Sequence, residues 1–184
     1  FQRIQIGVEN REQQGAVRHA SETGADVLSL FHPQRDRAAV ESLQGDEENA
    51  RRPCMTNAGY QQKVYEHCKE HVPLLARSGC HDFMLADEER IGGQFCFSPS
   101  CRFHFGRWLE RTYGTLDALN KSWGTKFKSW DEVRAPLLEE VKDVKHVAGF
   151  VDHRRYMDSV FTARVRRFRE AIESFDPEAR TGLS

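Results

Sequence analysis

Several groups of residues in this 184-residue chain have the types and spacing that chemistry needs. The first is Asp87-Glu88-Glu89, directly after the short apolar run of residues 81–86. An acid at the end of an apolar strand is partly desolvated, and crowded carboxylates raise one another's pKa. Both effects favour a neutral carboxylic acid able to donate a proton. The plainer alternative is that these acids solvate a loop or cap a helix. The second group is Cys96-Phe97-Ser98-Pro99-Ser100-Cys101, with Cys54 in another loop just ahead of a helix. Thiolates at such a spacing can share a soft metal such as zinc if further ligands converge. Otherwise they are buried thiols.

The third group is His67-Cys68-Lys69-Glu70-His71, which matches the His-x-x-Glu-His pattern of inverted zinc metallopeptidases. Pro73 follows two residues later, where it can break the helix that such a site needs. The aromatic residues from Phe95 to Tyr113, with Trp123, Phe127 and Trp130, have the composition of a sugar site. At helical spacing, Phe103, Phe105 and Leu109 read as core instead.

The elements that position these residues follow from hydrophobic period. Residues 2–8 alternate polar and apolar as a short strand, 11–22 read as a helix, and 25–31 as a second strand closed by His32-Pro33. Strand, helix, strand in some 30 residues is the spacing of a βαβ unit. Residues 34–53 are charged and irregular. A helix is predicted over 58–77, with Val64, Cys68, Val72 and Leu75 on one stripe, a kink or break at Pro73, and Gly79 as its cap. The run 81–86 gives a third strand. Residues 101–113 predict an amphipathic helix, 115–120 a short one capped by Thr115, and 124–149 a surface excursion. Asp152 is expected to cap a last helix reaching about 174, with Tyr156, Val160, Ala163, Phe168 and Ile172 near one face. Residues 180–184 open another strand.

Strands alternating with helices predict an α/β fold with a parallel sheet. Chemistry in such sheets sits at the carboxyl ends of the strands, here at Glu9-Asn10, His32 and Asp87-Glu88-Glu89. No Gly-x-Gly-x-x-Gly follows any strand, so part of a (β/α)8 barrel suits the pattern better than a nucleotide-binding fold. Lys plus Arg count 27 against 28 for Asp plus Glu, a formal net charge of -1 without the field a nucleic-acid binder needs. Mean hydropathy is -0.68, and no apolar run is long enough to cross a membrane. Five cysteines, an odd number, suit a reducing, cytoplasmic setting better than a disulfide scaffold. A first residue of Phe1 reads as a chain cut from a longer one.

Some of these pieces belong together. Cys101, Phe105-Gly106-Arg107-Trp108-Leu109, Tyr113-Gly114-Thr115-Leu116-Asp117-Ala118-Leu119-Asn120 and Trp123-Gly124-Thr125-Lys126-Phe127 form a run that resembles the catalytic domain of glycoside hydrolase family 42, the β-galactosidases. Asp152-His153-Arg154-Arg155-Tyr156 resembles the opening of that family's next helix. The resemblance covers about residues 51–184. It implies that 1–184 is the central part of a (β/α)8 barrel, truncated at both ends, from a retaining β-galactosidase-like exo-glycosidase.

In that frame Glu88 takes the place of the general acid/base at the end of the fourth strand, and Asp87 stands where the family has Asn. Arg51 or Arg52 resembles a substrate-binding arginine. Cys54, Cys96 and Cys101 match three ligands of the family's structural zinc site, Ser98 replaces the fourth, and His104 is a substitute to consider. The nucleophile would lie beyond Ser184, so the chain alone is expected to be inactive. The resemblance implies a carbohydrate substrate, no cofactor for catalysis and, in the full-length protein, a homotrimer. The competing readings are a non-catalytic carbohydrate-binding barrel and the metallopeptidase.

Overall fold

The computed structural model describes residues 3–7, 26–30, 54–86, 95–142 and 146–183. The helix expected over 11–22, the carboxylates Asp87, Glu88 and Glu89, and Arg51 and Arg52 lie outside them. The chain groups into two compact units. One is Phe1–Ala39, Gly59–Arg90 and Ala163–Ser184; the other is Val40–Ala58 and Ile91–Thr162.

The first unit holds a parallel sheet of four strands, β1 (Arg3–Gly7), β2 (Asp26–Leu30), β3 (Asp82–Ala86) and β4 (Arg180–Leu183). The order of these described strands is β1-β2-β3-β4, the order of the sequence, and among them there is no reversal of the kind that makes a nucleotide-binding crevice. Phe83, Met84 and Leu85 are consecutive and all buried, so both faces of β3 are covered, as a parallel sheet between layers requires. Asp82 opens β3 with a two-pronged ion pair to Arg180 (2.6 and 2.9 Å), which fixes β4 beside it. The β3–β4 register shifts between Met84 and Ala86.

Helix α1 (Ala58–Arg77) buries Tyr60, Val64, Cys68, Val72 and Leu75, a stripe at four- and three-residue steps. Of the kink or break expected at Pro73, the break does not occur: the helix runs on to Arg77. Val72 and Leu75 are both fully buried, so packing on either side of Pro73 holds the turn that its missing N–H weakens. Gly79 then ends the helix at a φ of 79°, its N–H on the Ala76 carbonyl (2.9 Å).

In the second unit, α2 (Pro99–Tyr113) begins earlier than its apolar pattern suggests, because Ser98 caps it: the hydroxyl accepts from the Cys101 N–H at 3.2 Å, and Pro99 sits at the first position. Cys101, Phe105 and Leu109 face inward, whereas Phe103, expected in the core, is 64% exposed. It falls between two inward-facing positions four apart, on the helix's outer side. Helix α3 (Leu116–Trp123) is capped by Thr115 as expected, its hydroxyl accepting from the Ala118 N–H (3.2 Å). The Asn120 side chain ties the turn after α3, donating to the Phe127 carbonyl and accepting from the Thr125 hydroxyl and the Phe127 N–H. Within the expected surface excursion the described residues include two 3-10 turns, Trp130–Glu132 and Leu138–Lys142, and its last residues already belong to the next helix.

The last helix, α4 (Val147–Phe175), begins before Asp152, which is therefore no cap. Asp152 is 4% exposed and accepts from the Tyr113 hydroxyl (2.5 Å) and the Trp123 indole N–H (2.8 Å). It joins α4 to the ends of α2 and α3. Asp152, His153, Tyr156, Met157 and Val160 are its inward residues in this unit. Further along, in the first unit, the buried line passes through Arg164 rather than Ala163. Arg164 donates to the Tyr60 hydroxyl (3.2 Å), and its guanidinium lies 5.3 Å from the centre of the Phe168 ring.

Replacing Asp152 by Ala strands the buried Trp123 N–H, and the expected loss is about 3 kcal/mol of stability. Urea unfolding followed by circular dichroism checks this; Asp152→Asn, which keeps one acceptor oxygen, should lose less.

Candidate metal centre

Two segments distant in sequence bring the thiols together. Cys54 stands in the loop before α1, Cys96 in the loop before α2, and Cys101 in the first turn of α2. Their sulfurs all lie within 4.8 Å of one another, and among the described residues no other trio of metal-ligating groups converges in this way. The three thiols are free and buried. Cys54 Sγ is 3.7 Å from Cys101 Sγ, 3.0 Å from the Ser98 hydroxyl and 3.2 Å from the Thr56 hydroxyl. Thr56 also meets Cys101 Sγ (3.4 Å) and the Ser100 hydroxyl (2.9 Å). The Cys96 thiol donates to Ser98 Oγ at 3.4 Å.

The protons in this group are unevenly held. Hydrogen bonds from Cys101, then Cys96, pull the Cys54 thiol far below the ordinary range. The same contacts push Cys101 far above it. The neighbours thus favour the thiolate form at Cys54 over Cys101, and a thiolate is the form that binds a soft cation.

The surroundings fit a metal as well. Around a tetrahedral zinc with sulfurs at about 2.3 Å, neighbouring sulfurs stand about 3.8 Å apart, close to the Cys54–Cys101 spacing. The Tyr156 hydroxyl is buried without a hydrogen-bond partner. Burial above all raises its pKa, and the neighbouring sulfurs add to it. A buried hydroxyl donor beside a sulfur group has a natural acceptor once those sulfurs are thiolates.

His153 packs on the same group. Its ring lies against Phe95, Phe97 and Phe105 at 5.2, 4.8 and 5.0 Å and stacks on Tyr156. One ring nitrogen engages the Cys96 backbone, and Nδ1 has no partner. Burial lowers its pKa from 6.5 to about 4. His153 and Tyr156 share a face of α4 three residues apart, a signal present in the sequence but overshadowed by the charges between them. His104, considered as a ligand, is exposed and packs only its ring edge on Phe103.

The His67–His71 pair does stack on α1, at 4.1 Å between ring centres. Its atoms form no ligand trio with Glu70, and His71 Nδ1 instead meets the His67 carbonyl at 3.0 Å. Cys68, between them, faces the core, and burial pushes its thiol up to about 12.

The family model described as β-galactosidase, glycoside hydrolase family 42, matches residues 17–181. The chain belongs to this family. Its sequence is 37% identical over 104 residues to a β-galactosidase of Planococcus sp. strain 'SOS Orange', covering 52% of this chain and 14% of that protein. It therefore spans a small part of its curated relative. The fold is shared with the cold-adapted β-galactosidase of Rahnella sp. R3 (TM-score 0.77, 17% identity, 94% of this chain and 27% of that one). It is shared too with that of the haloarchaeon Halorubrum lacusprofundi (TM-score 0.78, 16% identity, 95% and 29%). The resemblance read over about residues 51–184 thus agrees with a family match over residues 17–181, and no helix among the described residues is long and apolar enough to cross a membrane.

Since the folded His153 resists protonation, the unfolded chain binds that proton first. Its contribution is complete above about pH 6.5 and is lost progressively as pH falls toward 4, a loss of roughly 3 kcal/mol at most. His153→Phe should flatten this part of the stability–pH curve, measured by urea unfolding from about pH 7 to pH 4; an unchanged slope assigns it elsewhere.

Proposed function

We propose that the chain is the central part of a (β/α)8 barrel, truncated at both ends, of a retaining β-galactosidase-like exo-glycosidase. The family match over residues 17–181 carries this reading. The sheet supports it, since four parallel strands in sequential order are the arrangement from which such a barrel wall is built.

Glu88 is the general acid/base. It follows β3 with only Asp87 between, at the carboxyl end where barrel enzymes carry their chemistry. As an acid, Glu88 gives its proton to the glycosidic oxygen of the leaving group. As a carboxylate, it then takes a proton from the water that attacks the glycosyl-enzyme ester. Asp87 and one of Arg51 or Arg52 hold the sugar. The nucleophile comes from a strand after Ser184, which leaves the chain by itself inactive.

Catalysis of this kind needs no cofactor. Cys54, Cys96 and Cys101 hold a structural metal of the zinc type, which ties the loop before α1 to the start of α2. Free thiols and near-neutral charge suit a cytoplasmic enzyme with no nucleic-acid partner, and a homotrimer is its proposed assembly.

The test is hydrolysis of aryl β-galactosides by the full-length protein. Glu88→Ala should lower turnover by roughly 10²- to 10⁴-fold, and added azide should restore it as a β-galactosyl azide. A variant that cleaves as well as the wild type removes Glu88 from its role. A wild-type protein that binds galactosides but cleaves none is a carbohydrate-binding relative.

A further inference from the structure

Neither the thiol centre nor the glycosidase reading uses the paired His67 and His71, and their geometry suits a cation of another kind. The two residues stand four apart on α1, so they share one face of the helix. Both are half-buried, each one position before a residue of the buried stripe, Cys68 and Val72. Their ring centres are 4.1 Å apart, with the planes 25° from parallel. Two imidazoles bound side by side to one ion, with nitrogens at about 2.1 Å, have centres about 4.5 Å apart. A small opening of the pair reaches that spacing.

His71 is also set up as a ligand. Its Nδ1 lies 3.0 Å from the His67 carbonyl, which can only accept, so Nδ1 carries the proton. In the neutral ring the lone pair is then on Nε2. A histidine that gives one N–H to a backbone carbonyl and its other nitrogen to a cation is the common arrangement at metal sites. His67, with two ring nitrogens of its own, is the second ligand. The exposed carboxylates Glu66 and Glu70 directly precede the two histidines, and against them the stretch 66–71 has only Lys69, a formal charge that favours a cation.

The place in the helix gives such a cation an effect on the fold. Pro73 has no N–H to offer the Lys69 carbonyl, which makes the turn from Lys69 to Pro73 the weak one of α1. A bridge from His67 to His71 overlaps that turn and is broken when it opens. We propose that His67 and His71 form a chelating site for a divalent transition-metal ion of the kind that prefers imidazole (nickel, copper or zinc), and that the bound ion clamps α1 beside Pro73. The site is independent of the thiols and of glycoside hydrolysis.

The experiment uses the full-length protein with Ni(II) as the probe. In calorimetric titration the wild type should bind one more equivalent of nickel than His67→Gln or His71→Gln, glutamine being chosen because it is a good helix former. The thiols are the same in all three proteins and cancel in the comparison. His104→Gln, which removes an exposed histidine from α2, should bind as the wild type does. In hydrogen exchange, the amides of His71 and Val72 should slow by about tenfold in the wild type with nickel at ten times its dissociation constant, because opening of the turn must release the ion. The same amides in His71→Gln should not respond. Both glutamine variants binding as much nickel as the wild type overturns the proposal. Loss in one variant alone is binding by a single histidine, and overturns it too. Exchange that nickel leaves unchanged in the wild type overturns it without recourse to any variant.

Discussion

A buried carboxylate needs hydrogen-bond donors around it, and Asp152 has them in the Tyr113 hydroxyl and the Trp123 indole. Arg155, at 3.8 Å, adds an exposed cation. The last residue of α2, the last residue of α3 and the second turn of α4 are thereby held to one atom group. His153 and Tyr156 come next on the same helix face, so the anchor also sets what lies against the thiols. Gly149 shows how tight the packing is: a Cβ there would stand 3.0 Å from both Pro136 and Trp123. Of the three thiols, Cys101 lies in α2, one of the two helices that Asp152 ties to α4.

The thiols are of two kinds. Cys68 and Cys80 are buried apart from the cluster in the first unit, where a thiol behaves as a small apolar side chain. Cys54, Cys96 and Cys101 face one another with hydroxyls interposed. That arrangement is poor as apolar core, since Ser98 and Thr56 bring polar atoms with them. It is well suited to holding negative charge, because each hydroxyl can turn its hydrogen toward a sulfur.

Elements whose pattern repeats over several turns were legible from the sequence. The stripe from Val64 to Leu75 marked α1 to the residue, and Thr115 marked the start of α3. The strands came from short apolar runs closed by Gly, Pro or charge. What escaped were features set by partners far along the chain. Asp152 looks like a helix cap because acids commonly sit there, and only the indole of Trp123 gives it a different task. Phe103 looks like core by type and lies outside by phase. The cysteines were legible as candidate ligands one by one; their clustering with Thr56, and the packing of Tyr156 and His153, depend on a folded arrangement that spacing does not encode. Arg164 is buried because its guanidinium donates to the Tyr60 hydroxyl and lies over the Phe168 ring.

The pairing of Asp82 with Arg180 joins residues 98 positions apart. A parallel strand cannot be supplied by a hairpin, so the edge of β3 waits for the whole intervening chain. At cellular synthesis rates of about 5–20 residues per second, that wait is roughly 5 to 20 seconds. During it, the segment Ile91–Thr162 of the second unit leaves the ribosome and can condense first. Such an edge, open and apolar on both faces, is a template for pairing with another nascent chain. Folding yield should therefore depend on translation speed between Ala86 and Arg180 more than on the stability of the finished sheet.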